Sequence, residues 1–270
     1  MYFELTEDQK MIQKMVRDYA EHEIAPYVDD WEANHQFSRE NFKKLADLGM
    51  AGIYAPEEYG GSGLGSFEGA LVVEQLGRVM RGMNYLAVHN MVVKDIVAYG
   101  NKDQIERLAV PLIKGEKMGS ICITEPNAGS DVGAMMSYAK REGDYYVLNG
   151  SKVFITGAGE SEIYLVLCKT DKNVSNPLKG MSLFVIQKGD PGFTISPPEN
   201  KMGLASVPVC QIFFEDVKIP QENLIGEENK GFYHFAEGIN VGRINVAAEA
   251  VGGAQASMEA ALPMEAIPVP

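Results

Sequence analysis

The sequence predicts an α+β multidomain protein: an N-terminal all-α domain, a middle antiparallel β-barrel or sandwich, and a truncated C-terminal helix. Three observations predict it. Apolar residues recur at helical spacing over about residues 1–116, the period shortens towards two near Lys117, and helical spacing returns from Gly231. The expected domains are therefore residues 1–116, 117–228 and 229–270.

The first helix opens at Thr6, where Thr6 and Gln9 have the form of a capping box. Ile12, Met15, Val16, Tyr19 and Ala20 follow at helical spacing, and Pro26 is expected to end the run. A second helix starts at Ser38, is expected to bury Phe42, Leu45 and Leu48, and stops at Gly49, a natural left-handed cap. The glycine-rich stretch from Gly52 to Gly65 reads as a shaped surface loop. A phosphate cradle would have to join a strand to a helix, and the segment before this one is helical. Residues 66–114 carry three more helical patterns, the last bent at Pro111.

Met118–Thr124 reads as a strand. Tyr145–Leu148 and Val153–Thr156 flank Asn149-Gly150, the strongest short-range hairpin signal, so a turn is expected there. Ile163–Cys168, Met181–Ile186 and Cys210–Phe214 continue the series. Short strands without interposed helices exclude a parallel, doubly wound sheet. From Gly231, Phe232, Phe235, Ile239, Val246 and Val251 lie among alanines. Pro263, Pro268 and Pro270 then break the pattern. A lone helix with a broad apolar surface needs partners, and no helix follows it here.

Composition narrows the function classes. With 46% hydrophobic and 23% charged residues the chain matches an ordinary globular protein. A net charge of −13 argues against a nucleic-acid-binding surface. Cys122, Cys168 and Cys210 form neither a disulfide framework nor a metal knuckle, which fits a reducing compartment. His22, His35, His89 and His234 are scattered without zinc-site spacing, so no metal is expected. No window is apolar enough to span a bilayer, and the acidic N-terminus is unlike a signal or transit peptide, so the expected location is cytoplasmic.

The run Thr124–Asp131 carries the chemistry. A strand end followed by Pro126, Asn127 and Gly129 exposes backbone N–H groups beside a hydroxyl and a carboxylate, which suits carbonyl or phosphate oxygens. Taken alone, most such turns only cap a strand. Phe154 and Thr156 read as alternating strand residues, and Arg243 as a solvated helix charge.

The run Cys122–Asp131 resembles the signature of acyl-CoA dehydrogenases, with Asn127 where the family usually has Gly. Asn tolerates the left-handed backbone nearly as well. Also similar to the family are Asn149-Gly150 with Lys152 and Phe154–Thr156, Phe214–Val217 with Pro220, Asn223-Leu224 with Gly226, and Gly242–Ile244 leading into Ala247–Gly252. These motifs stand in family order from about residue 6 to residue 262.

The resemblance implies FAD as cofactor and an acyl-CoA thioester as substrate. Backbone groups from Ile121 through Ile123 to Thr124 would face the flavin's pyrimidine and ribityl edge. Gly129 and Ser130 would cradle the cofactor, with Ser130 also touching the pantetheine. Thr156 would lie near flavin N5, with Phe154 and Ile155 beside the rings; many relatives have Trp at the position of Phe154. Asn240 and Arg243 would line the CoA and acyl channel, and relatives commonly have Asp in place of Asn240.

In the family a glutamate takes the α-proton while the β-hydrogen leaves as hydride to flavin N5. That base usually lies well beyond residue 270, or immediately before the arginine matched by Arg243, where this chain has Gly242. No catalytic residue is therefore assigned. Three readings follow: a truncated or frame-shifted acyl-CoA dehydrogenase, one half of a heteromer whose partner supplies the base, or a non-catalytic CoA- or flavin-binding remnant. The resemblance further implies an electron-transferring flavoprotein as acceptor, a setting in β-oxidation, and a homotetramer if full length.

Overall fold

Thr6 opens the first helix as its spacing requires. Its hydroxyl accepts from the Gln9 N–H at 3.2 Å, and the Gln9 side chain accepts from the Thr6 N–H at 3.0 Å. The computed structural model describes residues 4–79 and 84–262. Helix α1 (Glu7–Tyr19) does not lead into a break at Pro26 as expected. The chain stays helical through a π turn at Ala20–Ile24, a tight turn at Ala25–Tyr27, and α2 (Val28–Ala33). Pro26 falls in the first turn of a new segment, where the N–H it lacks has no helical partner to bond.

Ser38 caps α3 (Arg39–Asp47), and Gly49 adopts φ +80° beyond its end. Phe42 and Leu45 are buried, but Leu48, expected in the core, is 37% exposed. It occupies the C-cap, where the backbone leaves the helix and turns the side chain outward. The start of the loop of residues 52–65 is held by a helix. Asn90 of α5 (Asn84–Tyr99) accepts from the Ile53 N–H and donates to the Met50 carbonyl. The remaining helical stretches are α4 (Ser66–Gly77) and a bent run of α6 (Lys102–Gln104), a π turn and α7 (Val110–Ile113). The π turn at Ile105–Ala109 precedes Pro111 and accounts for the bend.

Eight described strands form one sheet: β1 (Gly119–Cys122), β2 (Tyr138–Glu142), β3 (Tyr145–Thr156), β4 (Ile163–Lys169), β5 (Met181–Gln187), β6 (Phe193–Ile195), β7 (Val209–Pro220) and β8 (Leu224–Ile225). Their order is β6-β7-β3-β2-β4-β5-β8, with β1 beside β4. The expected antiparallel pairing holds for most neighbours, but β1 runs parallel to β4, and β2 touches β4 in parallel at Tyr138 and Lys169. The chain reverses twice between β2 and β4, which returns it to the direction of β1. The sheet is therefore mixed.

Asn149-Gly150 is not the expected hairpin turn. It lies inside β3 as a bulge, where the register against β7 shifts between Leu148 and Gly150. Gly150 has φ +147°, and a Cβ there would overlap the Ser137 hydroxyl. Asn149 holds the bulge by donating to the Asp216 carboxylate at 2.9 Å and accepting from the Asp216 N–H at 3.0 Å. The actual β2–β3 turn is at Gly143-Asp144, with Gly143 at φ +65°. The conformational freedom of Asn-Gly serves here to kink a long strand.

The continuous apolar run of β4 is explained by cover on both faces. Ile163, Leu165 and Leu167 pack with Val92, Ile96 and Phe235 on the helical side, while Tyr164, Val166 and Cys168 enter the core within the sheet. His89 joins the layers, accepting from the Gly119 N–H at 3.1 Å and facing the Leu112 carbonyl at 3.2 Å through its other nitrogen. Burial lowers its pKa to about 4, so it stays neutral.

Helix α8 (Gly231–Ala261) returns to the helices and packs on α4 and α5. The partners it needs thus come from earlier in the chain. Phe235, Val241, Asn245 and Glu249 are buried, whereas Val246 and Val251, counted in the apolar pattern, are exposed. The proline break at Pro263 lies outside the described residues. Glycines set the α4–α8 approach: a Cβ on Gly252 would overlap the Glu74 carbonyl oxygen, and one on Gly77 would stand 2.6 Å from the Glu249 carbonyl oxygen. Because backbone cannot yield as a side-chain tip can, Gly252→Ala is expected to cost about 2–3 kcal/mol. Urea unfolding of the variant measures it, and a loss under about 0.5 kcal/mol would contradict the close approach.

Candidate functional site

The turn after β1 is built by a buried ion pair. The Lys152 ammonium, wholly buried, lies 2.8 Å from a Glu125 carboxylate oxygen and donates to the Ile123 carbonyl at 3.0 Å. Glu125, 6% exposed, also accepts from the N–H groups of Met136 at 2.5 Å and Ser137 at 3.0 Å. Burial opposes ionisation of this carboxyl, but the Lys152 charge and the hydrogen bonds outweigh it and hold the pKa below its ordinary value. Glu125 and Ala128 exchange both backbone hydrogen bonds, which closes the turn, and the Val153 N–H donates to the Thr124 carbonyl at 2.8 Å.

The result is a surface of free donors. The N–H groups of Thr124, Gly129 and Ser130, and the hydroxyls of Thr124, Ser130 and Thr156, have no hydrogen-bond partner among the described residues. Gly129 and Ser130 face solvent, and a Cβ on Gly129 would meet nothing within 4 Å. Beside this edge, Phe154 presents its ring to solvent, 68% exposed, with an unusual φ of +59°. A left-handed backbone at an aromatic residue is strained, and it re-aims a side chain that strict alternation would bury. Thr156 is held by its carbonyl, which accepts from the Ser120 hydroxyl at 2.8 Å.

Other candidate residues are placed differently. Ile121 and Ile123 are partly buried against the helical core, and Ile155 points into the β core, is paired with Cys210 of β7 and accepts from the Ala158 N–H at 3.3 Å through its carbonyl. A groove of about 460 Å³ runs from Ser130 and Asp131 past Val132 and Pro177 to Phe232 on α8. A second, apolar groove of about 570 Å³ lies between α5 and α8, lined by Ala87, Val88, Met91, Ile239, Gly242, Arg243, Val246, Ala247 and Ala250. Arg243 is its only charged lining residue among the described residues. Asn240 is exposed on α8 and does not line it. Glu249 is buried against Gly77 of α4, away from both grooves.

The donor set fits a flavin. N–H and O–H groups concentrated at one strand end match the acceptor-rich pyrimidine edge of an isoalloxazine, and the exposed aromatic ring beside them suits its flat face. Reading the sequence alone left Lys152 and Glu125 without a role as a pair, and left Ala87, Val88 and Met91 out of the site. A Lys in the middle of a strand between apolar neighbours was the available signal for the first.

Residues 6–116 match the family model of the acyl-CoA dehydrogenase N-terminal domain, and residues 120–217 that of the acyl-CoA dehydrogenase middle domain. The mitochondrial isobutyryl-CoA dehydrogenase of Dictyostelium discoideum is 38% identical over 258 residues, an alignment covering 95% of this chain and 62% of that protein. The short-chain-specific acyl-CoA dehydrogenase of Clostridium acetobutylicum is 38% identical over 263 residues, covering 97% of this chain and 69% of that protein. The solved structure of butyryl-CoA dehydrogenase from Megasphaera elsdenii superposes with a TM-score of 0.93 at 36% identity, covering 100% of this chain and 72% of that one. The chain thus spans about two thirds of the length of these relatives.

Proposed function

The chain belongs to the acyl-CoA dehydrogenase family, and from that premise we propose that it serves the FAD-dependent α,β-dehydrogenation of an acyl-CoA thioester. The observation that carries this reading is the free donor set of Thr124, Gly129, Ser130 and Thr156 beside the exposed Phe154 ring. When bound, the flavin supplies the acceptor for the substrate's β-hydrogen. Thr124, Gly129 and Ser130 would hold it by backbone and hydroxyl donors, and Phe154 would offer its exposed ring to it. The pantetheine follows the groove from Ser130 to Phe232, and the acyl group lies in the apolar groove with Arg243 at its side. An electron-transferring flavoprotein is proposed as acceptor on the family resemblance, as are assembly into a tetramer and a setting in β-oxidation.

The site is an open surface, and affinity depends on burying most of a ligand. FAD is therefore expected to bind this chain with a Kd above about 1 μM. Titration of FAD against its visible band measures this, and Thr124→Val is expected to weaken binding about threefold to tenfold by removing one donor. No saturable change in the parent chain would count against the flavin reading. A stoichiometric, tightly held yellow cofactor would show that self-association covers the site.

A further inference from the structure

We infer that the buried Glu125–Lys152 pair is a positioning device for the cofactor turn: it fixes the end of β1 against β3 and against the chain entering β2. This deepens the flavin reading above and, as regards FAD, rests on it. Lys152 reaches across from β3 to grip two points of the β1 extension, the Ile123 carbonyl and the Glu125 carboxylate. Glu125 passes that grip on to Met136 and Ser137, immediately before β2. Thr124 lies between the two gripped residues, and its own carbonyl is held by the Val153 N–H next to Lys152. The residues whose donors stay free, Thr124, Gly129 and Ser130, are therefore those suspended between anchored points.

The location supports this. Both side chains are buried, Lys152 wholly and with its charge matched by Glu125 inside the turn, so the pair acts on a ligand through the turn that it holds. A buried ion pair is weak evidence for stability, since an apolar replacement often serves as well. Its hydrogen bonds are directional, however, and with the Ile123 carbonyl and the Met136 and Ser137 N–H groups they tie β3 to the β1 extension and to the chain before β2. Loss of one member leaves the fold's ladders intact and lets the turn between Thr124 and Ser130 move. Misplacement of donors by even an ångström weakens a preorganised site.

The test uses the full chain with Lys152→Met and Glu125→Gln, read by site-resolved amide hydrogen exchange and by FAD titration well below the melting temperature. Exchange at the Met136, Ser137 and Val153 amides is expected to rise at least tenfold in both variants, while Leu165 and Val185 of the β4–β5 ladder keep their protection. The Kd for FAD is expected to rise tenfold or more, with no greater loss in the double variant, because both changes release the same clamp. Unchanged exchange at those three amides, or an unchanged FAD Kd despite faster exchange, overturns the inference. Unfolding of both single variants also overturns it, since the pair would then sustain the whole fold. If the parent binds no FAD, the flavin reading fails, and the exchange pattern alone decides whether the clamp exists.

Discussion

Replacing Asp95 by asparagine is expected to flatten the pH dependence of stability between about pH 4 and pH 8. Asp95 lies in α5 facing Gly238 of α8, where an added Cβ would stand 2.5 Å from its carboxylate. It is fully buried, and neither oxygen has a hydrogen-bond partner among the described residues. Burial raises its pKa from 3.8 to about 8; the Lys94 charge opposes this and the Glu237 charge adds to it. The unfolded chain releases this proton first as pH rises, so stability present below the unfolded value is lost progressively up to about pH 8. At about 1.4 kcal/mol per pH unit, the ionisation penalty reaches roughly 4 kcal/mol at neutral pH. Urea unfolding at a series of pH values should show the parent losing stability relative to Asp95→Asn as pH rises. Parallel profiles would mean that Asp95 ionises freely in the folded protein.

Desaturation of acyl-CoA by this chain on its own is expected to fall about a hundred- to ten-thousand-fold below that of an enzyme with a positioned base. An α-proton of a thioester is a weak acid, and among the described residues the groove between α5 and α8 is lined by apolar residues and Arg243, with no carboxylate. Gly242 stands immediately before Arg243, packed so closely that a Cβ would overlap the Met91 sulfur. Glu249 is six residues on from Arg243, which places it well round the helix and buries it against α4. Glu125 is committed to Lys152, and Asp131 borders the other groove. The assay combines the chain with excess FAD, acyl-CoA of graded length and an artificial electron acceptor. Turnover that vanishes in Glu249→Gln would relocate the base and refute this account. Turnover that appears only with a co-expressed partner chain would favour the heteromeric reading.

Where a signal is local, it was legible. The hydroxyl caps at Thr6 and Ser38 and the left-handed Gly49 stand where their spacing requires, because each depends on backbone geometry within one turn. The six-residue apolar run of β4 was legible as a strand for the same reason. Pro26 and Asn149-Gly150 misled because each is tolerated in more than one setting, the first turn of a helical segment or a strand bulge, and the choice is made by distant partners. Ser137, far along the chain, leaves room at Gly150 for no side chain.

The site divides the same way. Thr124, Ser130, Phe154 and Thr156 were singled out by motifs along the chain, and the structure leaves the donors of Thr124, Ser130 and Thr156 free and the Phe154 ring exposed. By itself, the sequence determined the α-β-α order, most strand positions and the segments that bear the donors, since these follow from periodicity and short-range conformational preference. Only the tertiary structure decided that β1 runs parallel to β4, that Lys152 is buried on Glu125, that Phe154 turns outward and that Glu249 faces α4. Each of those depends on which remote groups meet in a low-dielectric interior, where an ion pair, a strained φ or a helix crossing is favourable only in the company of its neighbours.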